Sequence, residues 1–452
     1  MVNASQFYYT SKVNNRKVAK NLGVDAGVIY LKGHVNTVKF DSDTELPFDQ
    51  DPYFFYMTGV EQPGYEFLYD IESDKAVLFA PRIPEDDIVW IGSPETNEQL
   101  KERYDVDEVK YTDDLTVFLK ELSPKSVYVL NGTDASHLAE FQASVEETKL
   151  EEALKEARMF KSEFELEVMR ISNKISSDAH IALMKKIKPG MNERELQALF
   201  EYECNRHGSM RQAYLPIMAY SNNAATLHYG RNNCEMPDGS HLFLVDAGGE
   251  YHRYASDITR TYPVGGKYTD DAKTIYSIVL DMQKQVLDAL KPGVKWEDMH
   301  RLASRIACEG LKKCGILKGD VDEMIAKFVP AAFYPHGLGH SIGIDTHDVG
   351  GYPKGVEKIN EPGIRYLRMR RDLKPGMVVT VEPGVYFCDA IIEPFLKNPE
   401  TAKYFDIPTL DRFRKVGGVR IEDNVVIKED SIENLTTVPK EIDEIEAIMA
   451  SA

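Results

Sequence analysis

The sequence predicts two domains: an α/β domain over residues 1–150 and a larger α+β domain over residues 151–452. Three observations predict them. Short apolar runs alternate with amphipathic stretches in the first part, a charged stretch follows at 149–157, and a pair of helix-length segments then occurs twice. A chain of 452 residues suffices for roughly two or three domains with sizeable cores.

The first domain is predicted from its alternating pattern. Apolar runs typical of strands occupy 28–31, 76–80, 88–91 and 127–130, and patterns typical of helices occupy 11–21, 97–104 and 114–122. Such alternation favours a compact α/β domain. The charged stretch 149–157 is predicted to be the helix that connects it to the second domain.

The second domain is predicted to open with a capping box formed by Ser162 and Glu165. A long helix follows, and its predicted apolar stripe consists of Phe164, Val168, Ile171, Ile175, Ala179 and Ala182.

A weak internal repeat runs through this domain. One helix ends at 188–190 and another at 291–293, each at a Lys-Pro-Gly sequence, and each is followed by a second helix and then by strand-rich sequence. Each strand-rich part holds two acidic residues, Asp246 and Asp257 in the first and Glu382 and Glu422 in the second. Two similar halves of this kind would place a site at a pseudo-twofold interface.

Three of these acids follow apolar runs directly: 242–245 leads into Asp246, 378–381 into Glu382, and 419–421 into Glu422. A buried carboxylate is costly unless a cation pairs with it, and a divalent metal can satisfy several carboxylates at once. An acid at a strand end that leans into water would explain any one run. With Asp257 and the His-Gly-Leu-Gly-His segment at 336–340, metal binding becomes the better interpretation.

The types of donor indicate which kind of metal site this is. Asp246 and Asp257 flank a Gly-Gly sequence at 248–249, which predicts a hairpin-like pair of strands with a bulge that brings both acids to one side. His336 and His340 are four residues apart, but the glycines between them argue against a helix and against a helical zinc-protease motif. Four carboxylates and one imidazole suit two divalent ions better than one tetrahedral zinc.

Composition excludes other classes of function. The net charge of −19 opposes binding to nucleic acids and to anionic membranes. No apolar run approaches the length of a membrane span, and the first twenty residues lack a secretory apolar region, so we expect a cytoplasmic protein. The five cysteines are scattered, which favours reduced thiols.

Six motifs, in order along the chain, resemble the creatinase/aminopeptidase "pita-bread" metallopeptidase family. They are Asp246-Ala247-Gly248, Ser256-Asp257-Ile258-Thr259-Arg260, His336-Gly337-Leu338-Gly339-His340, Asp345-Thr346-His347-Asp348-Val349-Gly350-Gly351, Val381-Glu382-Pro383-Gly384 and Gly418-Val419-Arg420-Ile421-Glu422-Asp423. The segments 53–60 and 164–170 also fit, so the resemblance covers nearly the whole chain. It is weakest at the extreme N-terminus and at 231–240. Within the family, the chain is most similar to the eukaryotic prolidase branch, the Xaa-Pro dipeptidases.

The resemblance implies a pita-bread catalytic domain and specific site residues. Two manganese ions per subunit, with cobalt or zinc as alternatives, would be bound by Asp246, Asp257, His340, Glu382 and Glu422, and the carboxylates of Asp257 and Glu422 would bridge them. The substrate and the developing oxyanion would be held by His228, His336 and His347. The substrate-binding arginines would be Arg368 and Arg420. Tyr214 falls at a substrate-contacting position, although a core tyrosine is the alternative.

The activity implied is hydrolysis of Xaa-Pro dipeptides. A hydroxide bridging the two metals would attack the scissile carbonyl, and Glu382 would accept the proton and deliver it to the proline nitrogen. Arg368 would bind the terminal carboxylate of proline. The resemblance also implies a homodimer in which residues 1–150 dimerise and cover the partner's site. Two alternatives stay open: an aminopeptidase P that acts on longer Xaa-Pro peptides, and a non-catalytic pita-bread binding module, against which the intact ligand set argues.

Overall fold

A computed structural model of the chain describes residues 8–134 and 144–451. These residues form two compact units, one reaching to Arg158 and one beginning at Met159. The domain boundary at 150, and the dimerisation and covering roles expected of the first domain, stay predictions.

The smaller unit is an α/β unit around one mixed sheet. Its strands are β1 (Val28–Lys32), β2 (Glu66–Asp70), β3 (Lys75–Ala80), β4 (Glu108–Tyr111), β5 (Ser126–Tyr128) and β6 (Ser144–Glu146), in the order β4-β3-β2-β1-β5-β6. Its helices are α1 (Ser11–Leu22), α2 (Pro52–Thr58), α3 (Ile88–Ile91), α4 (Asn97–Arg103), α5 (Leu115–Leu122) and α6 (Leu150–Met159). Strands β1, β2 and β3 pair antiparallel, and the outer pairings are parallel.

Apolar side chains of the sheet pack on α5. The cluster includes Tyr30, Leu68, Phe79 and Leu119, each at most 1% exposed. Alternate residues of β1 and β3 therefore point to one side, which is the period-2 pattern that the sequence displays.

The prediction of a strand at 88–91 is wrong. These residues form the short helix α3, and its apolar side chains face outward: Val89, Trp90 and Ile91 are 78%, 83% and 62% exposed. An apolar run of four residues carries no periodicity that separates a strand from a helical turn. The acidic 3-10 turn Glu85–Asp87 leads directly into the helix, and Gly92, at a φ of 84°, ends it.

The larger unit repeats a helix pair followed by strands. Its helices are α7 (Glu163–Met184), α8 (Glu193–Arg206), α9 (Asp270–Ala289), α10 (Trp296–Lys313), α11 (Val321–Ala326), α12 (Asp389–Lys397), α13 (Pro399–Ala402), α14 (Ile407–Phe413) and α15 (Ile442–Ala450). Helix α7 packs on α8 and helix α9 packs on α10. The predicted repetition of a helix pair is thus present.

The strands of the larger unit form four small sheets. They are β7 (Arg211–Gln212), β8 (Ile217–Tyr220), β9 (Leu242–Asp246), β10 (Gly249–Tyr251), β11 (Tyr254–Ala255), β12 (Thr259–Pro263), β13 (Val378–Val381), β14 (Gly384–Tyr386), β15 (Gly418–Arg420), β16 (Asp423–Ile427) and β17 (Ile432–Asn434). The strand orders are β11-β10-β7, β12-β9-β8, β13-β16-β17 and β14-β15.

Helix α7 begins at the predicted capping box. The Ser162 hydroxyl accepts a hydrogen bond from the Glu165 backbone N–H at 3.3 Å, and the Glu165 carboxylate accepts one from the Ser162 N–H at 2.8 Å. The predicted apolar stripe is partly wrong, because Phe164, Ile171 and Ala182 are partly exposed.

Polar side chains occupy part of the buried face of α7 instead. Ser172 donates to the Gly249 carbonyl at 3.0 Å, and Ser176 accepts from the Gly249 N–H at 2.9 Å. The two ring nitrogens of His180 lie 2.8 Å from the Tyr262 hydroxyl and 3.0 Å from the Ala247 carbonyl. Burial of these groups is tolerated because each has a partner. The face binds the loop that follows Asp246.

All five cysteines are free thiols, as predicted. Within the ranges 8–134 and 144–451, no helix is both long enough and apolar enough to cross a membrane.

Candidate metal centre and active site

A cavity of about 640 Å³ in the larger unit contains all the side chains that the sequence predicts for the site. Its lining includes Tyr214, His228, Asp246, Asp257, His336, His340, His347, Arg368, Glu382, Arg420 and Glu422. The structure therefore brings together residues that lie far apart in the sequence. The role of each residue stays a prediction.

Antiparallel pairing of β9 with β12 brings the first two acids together. Thr259 lies opposite Asp246, and Asp257 precedes β12 by two residues. The turn expected at 248–249 is wrong: the chain forms a separate hairpin, β10–β11, which turns at His252 and Arg253.

Gly248 has a different function in this segment. A Cβ atom at Gly248 would overlap the Ser256 carbonyl oxygen. The glycine thus permits two backbone segments to approach closely beside the site. From the sequence alone, a glycine required for close approach looks the same as a glycine required for a hairpin turn.

The other two acids come from the second half of the unit. Glu382 follows β13, and its N–H donates to the Leu338 carbonyl at 2.8 Å. Glu422 lies between β15 and β16, and its N–H donates to the Thr259 carbonyl at 3.0 Å. This bridge joins the strands of the two halves at the point where the carboxylates meet.

Three of the predicted ligands form a compact cluster. Ligand atoms of Asp257, His340 and Glu422 all lie within 4.8 Å of one another. His340 Nε2 is 3.4 Å from Asp257 Oδ2 and 3.5 Å from Glu382 Oε1. His340 Nδ1 is 3.0 Å from the Ser341 carbonyl, which can only accept, so Nδ1 carries a proton. That hydrogen bond leaves Nε2 directed at the carboxylates, as in histidines that bind metals.

Electrostatics also mark this cluster as a cation site. Burial raises the pKa of Asp246 to about 6 and that of Glu382 to about 7, and burial together with Asp257 raises the pKa of Glu422 well above its ordinary value. Burial would raise the pKa of Asp257 too, but His340 lowers it. Without a further cation, several of these acids are driven toward their neutral forms.

Two carboxylate oxygens have unmet hydrogen-bonding capacity. Asp257 Oδ1 and Glu422 Oε1 are buried and have no hydrogen-bond partner among the described residues. Orphaned buried oxygens are costly, and carboxylate oxygens with an imidazole nitrogen are a suitable donor set for divalent metal ions. The residues present therefore fit a metal centre.

Arg420 is the buried cation beside these acids. Its guanidinium donates to Asp246 Oδ2 at 2.6 Å, to the Tyr386 hydroxyl at 2.9 Å and to Thr259 Oγ1 at 3.1 Å. Tyr214 donates to the other Asp246 oxygen, Oδ1, at 2.6 Å. Arg420 and Tyr214 thus fix the Asp246 carboxylate, and Tyr214 lies in the site and not in a separate core.

The three predicted substrate histidines differ in their surroundings. His336 Nδ1 lies 2.8 Å from the Gly337 carbonyl and must donate to it, so Nε2 accepts from the Tyr386 hydroxyl at 2.9 Å. His228 and His347 are exposed to the cavity. The His347 ring stands edge-on to that of His340, with centroids 4.4 Å apart.

Sequence reasoning missed several residues that organise the site. Tyr386 accepts from Arg420 and donates to His336, and Thr259 Oγ1 donates to Glu422 Oε2 at 2.7 Å. Asn424 Oδ1 accepts from the Asp257 N–H at 2.9 Å, and its amide donates to the Asp257 carbonyl. Threonines and tyrosines of this kind look like ordinary strand residues. The only available signal was their position within or beside the six motifs.

This fold and this donor set define a pita-bread metallopeptidase. The chain belongs to metallopeptidase family M24: the family model described as "Metallopeptidase family M24" matches residues 167–429, and the one described as "Aminopeptidase P, N-terminal domain" matches residues 11–129. The predicted fold class and family are thereby confirmed.

Similar proteins have two different named activities. The Xaa-Pro dipeptidase of Homo sapiens is 44% identical over 449 residues, which cover 96% of this chain and 91% of that protein. A probable Xaa-Pro aminopeptidase of Sordaria macrospora is 46% identical over 431 residues, which cover 94% of this chain and 91% of that protein. Both activities are hydrolysis at Xaa-Pro bonds.

Solved structures agree with the fold over nearly the whole chain. A variant of Escherichia coli aminopeptidase P in complex with substrate superposes with a TM-score of 0.83 at 32% identity, covering 98% of this chain and 99% of that one. The zinc-substituted enzyme in complex with product superposes with a TM-score of 0.82 at 33% identity, and the coverage of both chains is the same. The chain is therefore a metal-dependent hydrolase of Xaa-Pro peptides, as its predicted enzyme class states.

Proposed function

We propose that the chain is an Xaa-Pro dipeptidase with two divalent metal ions, and manganese is our first candidate. The observation that carries the dipeptide preference is Arg368. Its guanidinium lines the cavity, and no side-chain hydrogen bond or ion pair to another described residue occupies it. A free arginine at this position is suited to bind the terminal carboxylate that a dipeptide presents immediately after the scissile bond.

The metal ions would be held by Asp246, Asp257, His340, Glu382 and Glu422. The unpartnered oxygens Asp257 Oδ1 and Glu422 Oε1 support these two residues as the bridging ligands. Two bound divalent ions would supply a strong nucleophile from water at neutral pH and a Lewis acid for the scissile carbonyl. Four carboxylates would balance the charge of two such ions.

Proton transfer is assigned to Glu382. Its carboxylate lines the cavity among the other proposed ligands, with Oε1 3.5 Å from His340 Nε2, so it would lie within reach of a water bound to the metal ions. In the proposed sequence, Glu382 accepts the proton of the attacking water and delivers it to the proline nitrogen. The nitrogen must take up this proton to leave as an amine and not as an amide anion, as in the hydrolysis of any peptide bond.

Stabilisation of the oxyanion is assigned to His347 and His228. Both are exposed to the cavity, whereas the donor capacity of His336 is used by the Gly337 carbonyl. We therefore propose that His336 acts mainly by orienting Tyr386. This differs from the prediction, which gave all three histidines contact with the substrate or oxyanion.

The Arg368→Ala variant tests the dipeptide assignment. We expect its KM for Gly-Pro to rise about ten- to a hundredfold, because a bidentate contact with a carboxylate contributes about 1.5–3 kcal/mol. Metal content should not change, and the preference for Gly-Pro over its C-terminal amide should shrink. Lysine at this position should restore only part of the affinity, since a point charge lacks the planar fork.

Arg365→Ala is the matched control. Arg365 lies in the same basic stretch, is exposed, and is not among the residues that line the cavity. The Arg365→Ala variant should leave the KM for Gly-Pro and the KM for its C-terminal amide unchanged. If Arg368→Ala distinguishes acid from amide as well as the parent does, another residue, Arg420 or His228, binds the carboxylate.

An aminopeptidase P activity is the second candidate, and the fungal relatives and the Escherichia coli structures favour it. Hydrolysis of Gly-Pro compared with a Gly-Pro-Xaa tripeptide distinguishes the two. A dipeptidase hydrolyses Gly-Pro at least about tenfold better, and an aminopeptidase P prefers the tripeptide. Running both assays in manganese, cobalt or zinc after chelation compares the candidate ions.

We propose further that the chain forms a homodimer in the cytoplasm. The outward apolar side chains of α3 give the smaller unit a surface suited to contact with a second copy, and five free thiols suit a reducing compartment. Sedimentation at micromolar concentration should give twice the mass of the 51.2 kDa chain. A mass of one chain would contradict the dimer.

A further inference from the structure

A buried ion pair lies close to the site but outside the cavity lining. Lys161 Nζ is 3.0 Å from Asp348 Oδ2, and each side chain is only 1% exposed. The other oxygen of Asp348 accepts from the Val349 N–H at 3.0 Å. A Cβ atom at Gly343 would overlap this carboxylate and press on the lysine, so glycine at 343 makes room for the pair. Removing either side chain would break an ion pair that is shielded from solvent.

The acidic partner closes a short loop. The Asp348 N–H donates to the Ser341 carbonyl at 2.9 Å, and the Ser341 hydroxyl donates to the Asp348 carbonyl at 2.8 Å. The same Ser341 carbonyl accepts the His340 Nδ1–H. The closed loop therefore runs from Ser341 to Asp348. His340 directly precedes the loop, and His347 is its last residue before Asp348. Their rings are in contact.

The lysine is itself held in a rigid place. Its backbone N–H donates to the Gly376 carbonyl at 2.8 Å, and the next residue is the N-cap of α7. Helix α7 is also the helix whose polar face binds the loop after Asp246. Lys161 thus connects a fixed helix start to the loop that carries His347.

We propose that Lys161 is a positioning residue for the reaction: its ion pair with Asp348 fixes His347 relative to the proposed metal ligand His340. The inference rests on the proposed function, because it takes His347 to contact the substrate or its oxyanion. An ammonium 3.0 Å from a carboxylate that is equally buried ties the loop to the start of α7. A catalytic group displaced by about 1 Å can lose about a hundredfold in rate.

The test is a double-mutant cycle on kcat for Gly-Pro, with parent, Lys161→Met, His347→Ala and the combined variant. We expect Lys161→Met to lower kcat about 10- to 100-fold with metal content unchanged. In the His347→Ala background the same substitution should lower kcat less than about threefold, because the group that it positions is gone. Lys174→Met is the control. Lys174 lies on the exposed side of α7 in an ion pair with Asp178, so kcat should equal that of the parent.

Equal losses of kcat in both backgrounds would overturn the inference. A His347→Ala variant with the kcat of the parent would instead overturn the proposed role of His347, and the inference with it. The two failures are thus distinguishable.

If Lys161→Met folds poorly, a second comparison still tests the inference. Lys161→Met combined with Asp348→Asn removes both charges of the buried pair, so its thermal midpoint should return toward that of the parent. Its kcat should stay at least about tenfold low, because the ion pair that holds the loop is absent. Recovery of kcat together with stability would show that the pair serves stability alone and would overturn the inference.

Discussion

Asp257→Asn is expected to abolish binding of both metal ions and to lower kcat/KM for Gly-Pro by about a thousandfold or more. A carboxylate oxygen of Asp257 lies within 4.8 Å of ligand atoms of His340 and Glu422, and Asp257 Oδ1 has no hydrogen-bond partner among the described residues. An amide offers one neutral oxygen in place of two anionic ones, so it could not fill the role proposed for Asp257 as a ligand shared by two ions. Bound metal ions would supply several kcal/mol of transition-state stabilisation, and each ~1.4 kcal/mol lost costs a factor of ten in rate.

Elemental analysis after gel filtration measures the effect directly. The parent should contain two ions per chain, whereas Asp257→Asn and Glu422→Gln should contain almost none. Asp178→Asn, a change of an exposed carboxylate on α7, should leave metal content and activity unchanged. One tightly held ion per chain, present equally in the parent and in Asp257→Asn, would refute the two-metal assignment.

Glu382→Gln should separate proton transfer from metal binding. Glutamine keeps the shape of the side chain and one ligand oxygen, but it cannot accept a proton. Loss of a general base lowers rates about 10²- to 10⁴-fold, and we expect kcat to fall within that range while at least one ion stays bound. KM for Gly-Pro should change little, because Glu382 is not assigned to substrate binding.

The control for this prediction is a buried carboxylate with no assigned proton role. Glu165 is 2% exposed and caps α7, so Glu165→Gln should affect stability more than kcat. If Glu382→Gln retains the kcat of the parent with full metal content, another group moves the proton. A variant that loses both ions would show instead that Glu382 serves chiefly as a ligand.

Much of the site could be predicted because its acids sit at the ends of apolar strands. Asp246, Glu382 and Glu422 stand out since a buried run seldom ends in an unpaired charge. The histidines could not be assigned in this way. Periodicity does not distinguish His180, which is buried in α7 with two partners, from His347, which is exposed to the cavity.

Other features depend on pairings that one sequence does not reveal. Asn424 holds the backbone of Asp257 from more than a hundred residues away, and Tyr386 joins Arg420 to His336. Nothing local separates such residues from ordinary strand positions. The incorrect prediction of a strand at 88–91 has a different cause. The apolar side chains of this segment predict burial, but they are exposed in the single chain.

The bridge between Thr259 and Glu422 also determines when activity can arise during synthesis of the protein. The two halves contribute Asp257 and Glu422, whose codons are translated far apart in time, and the backbone bridge from Thr259 to Glu422 can form only after Glu422 has been synthesised. Contacts of such large sequence separation form slowly, because closing the intervening loop costs entropy. A nascent chain that has exposed only the first half therefore has two carboxylates but no completed centre. The hydrolase stays inactive until synthesis has passed its last ligand.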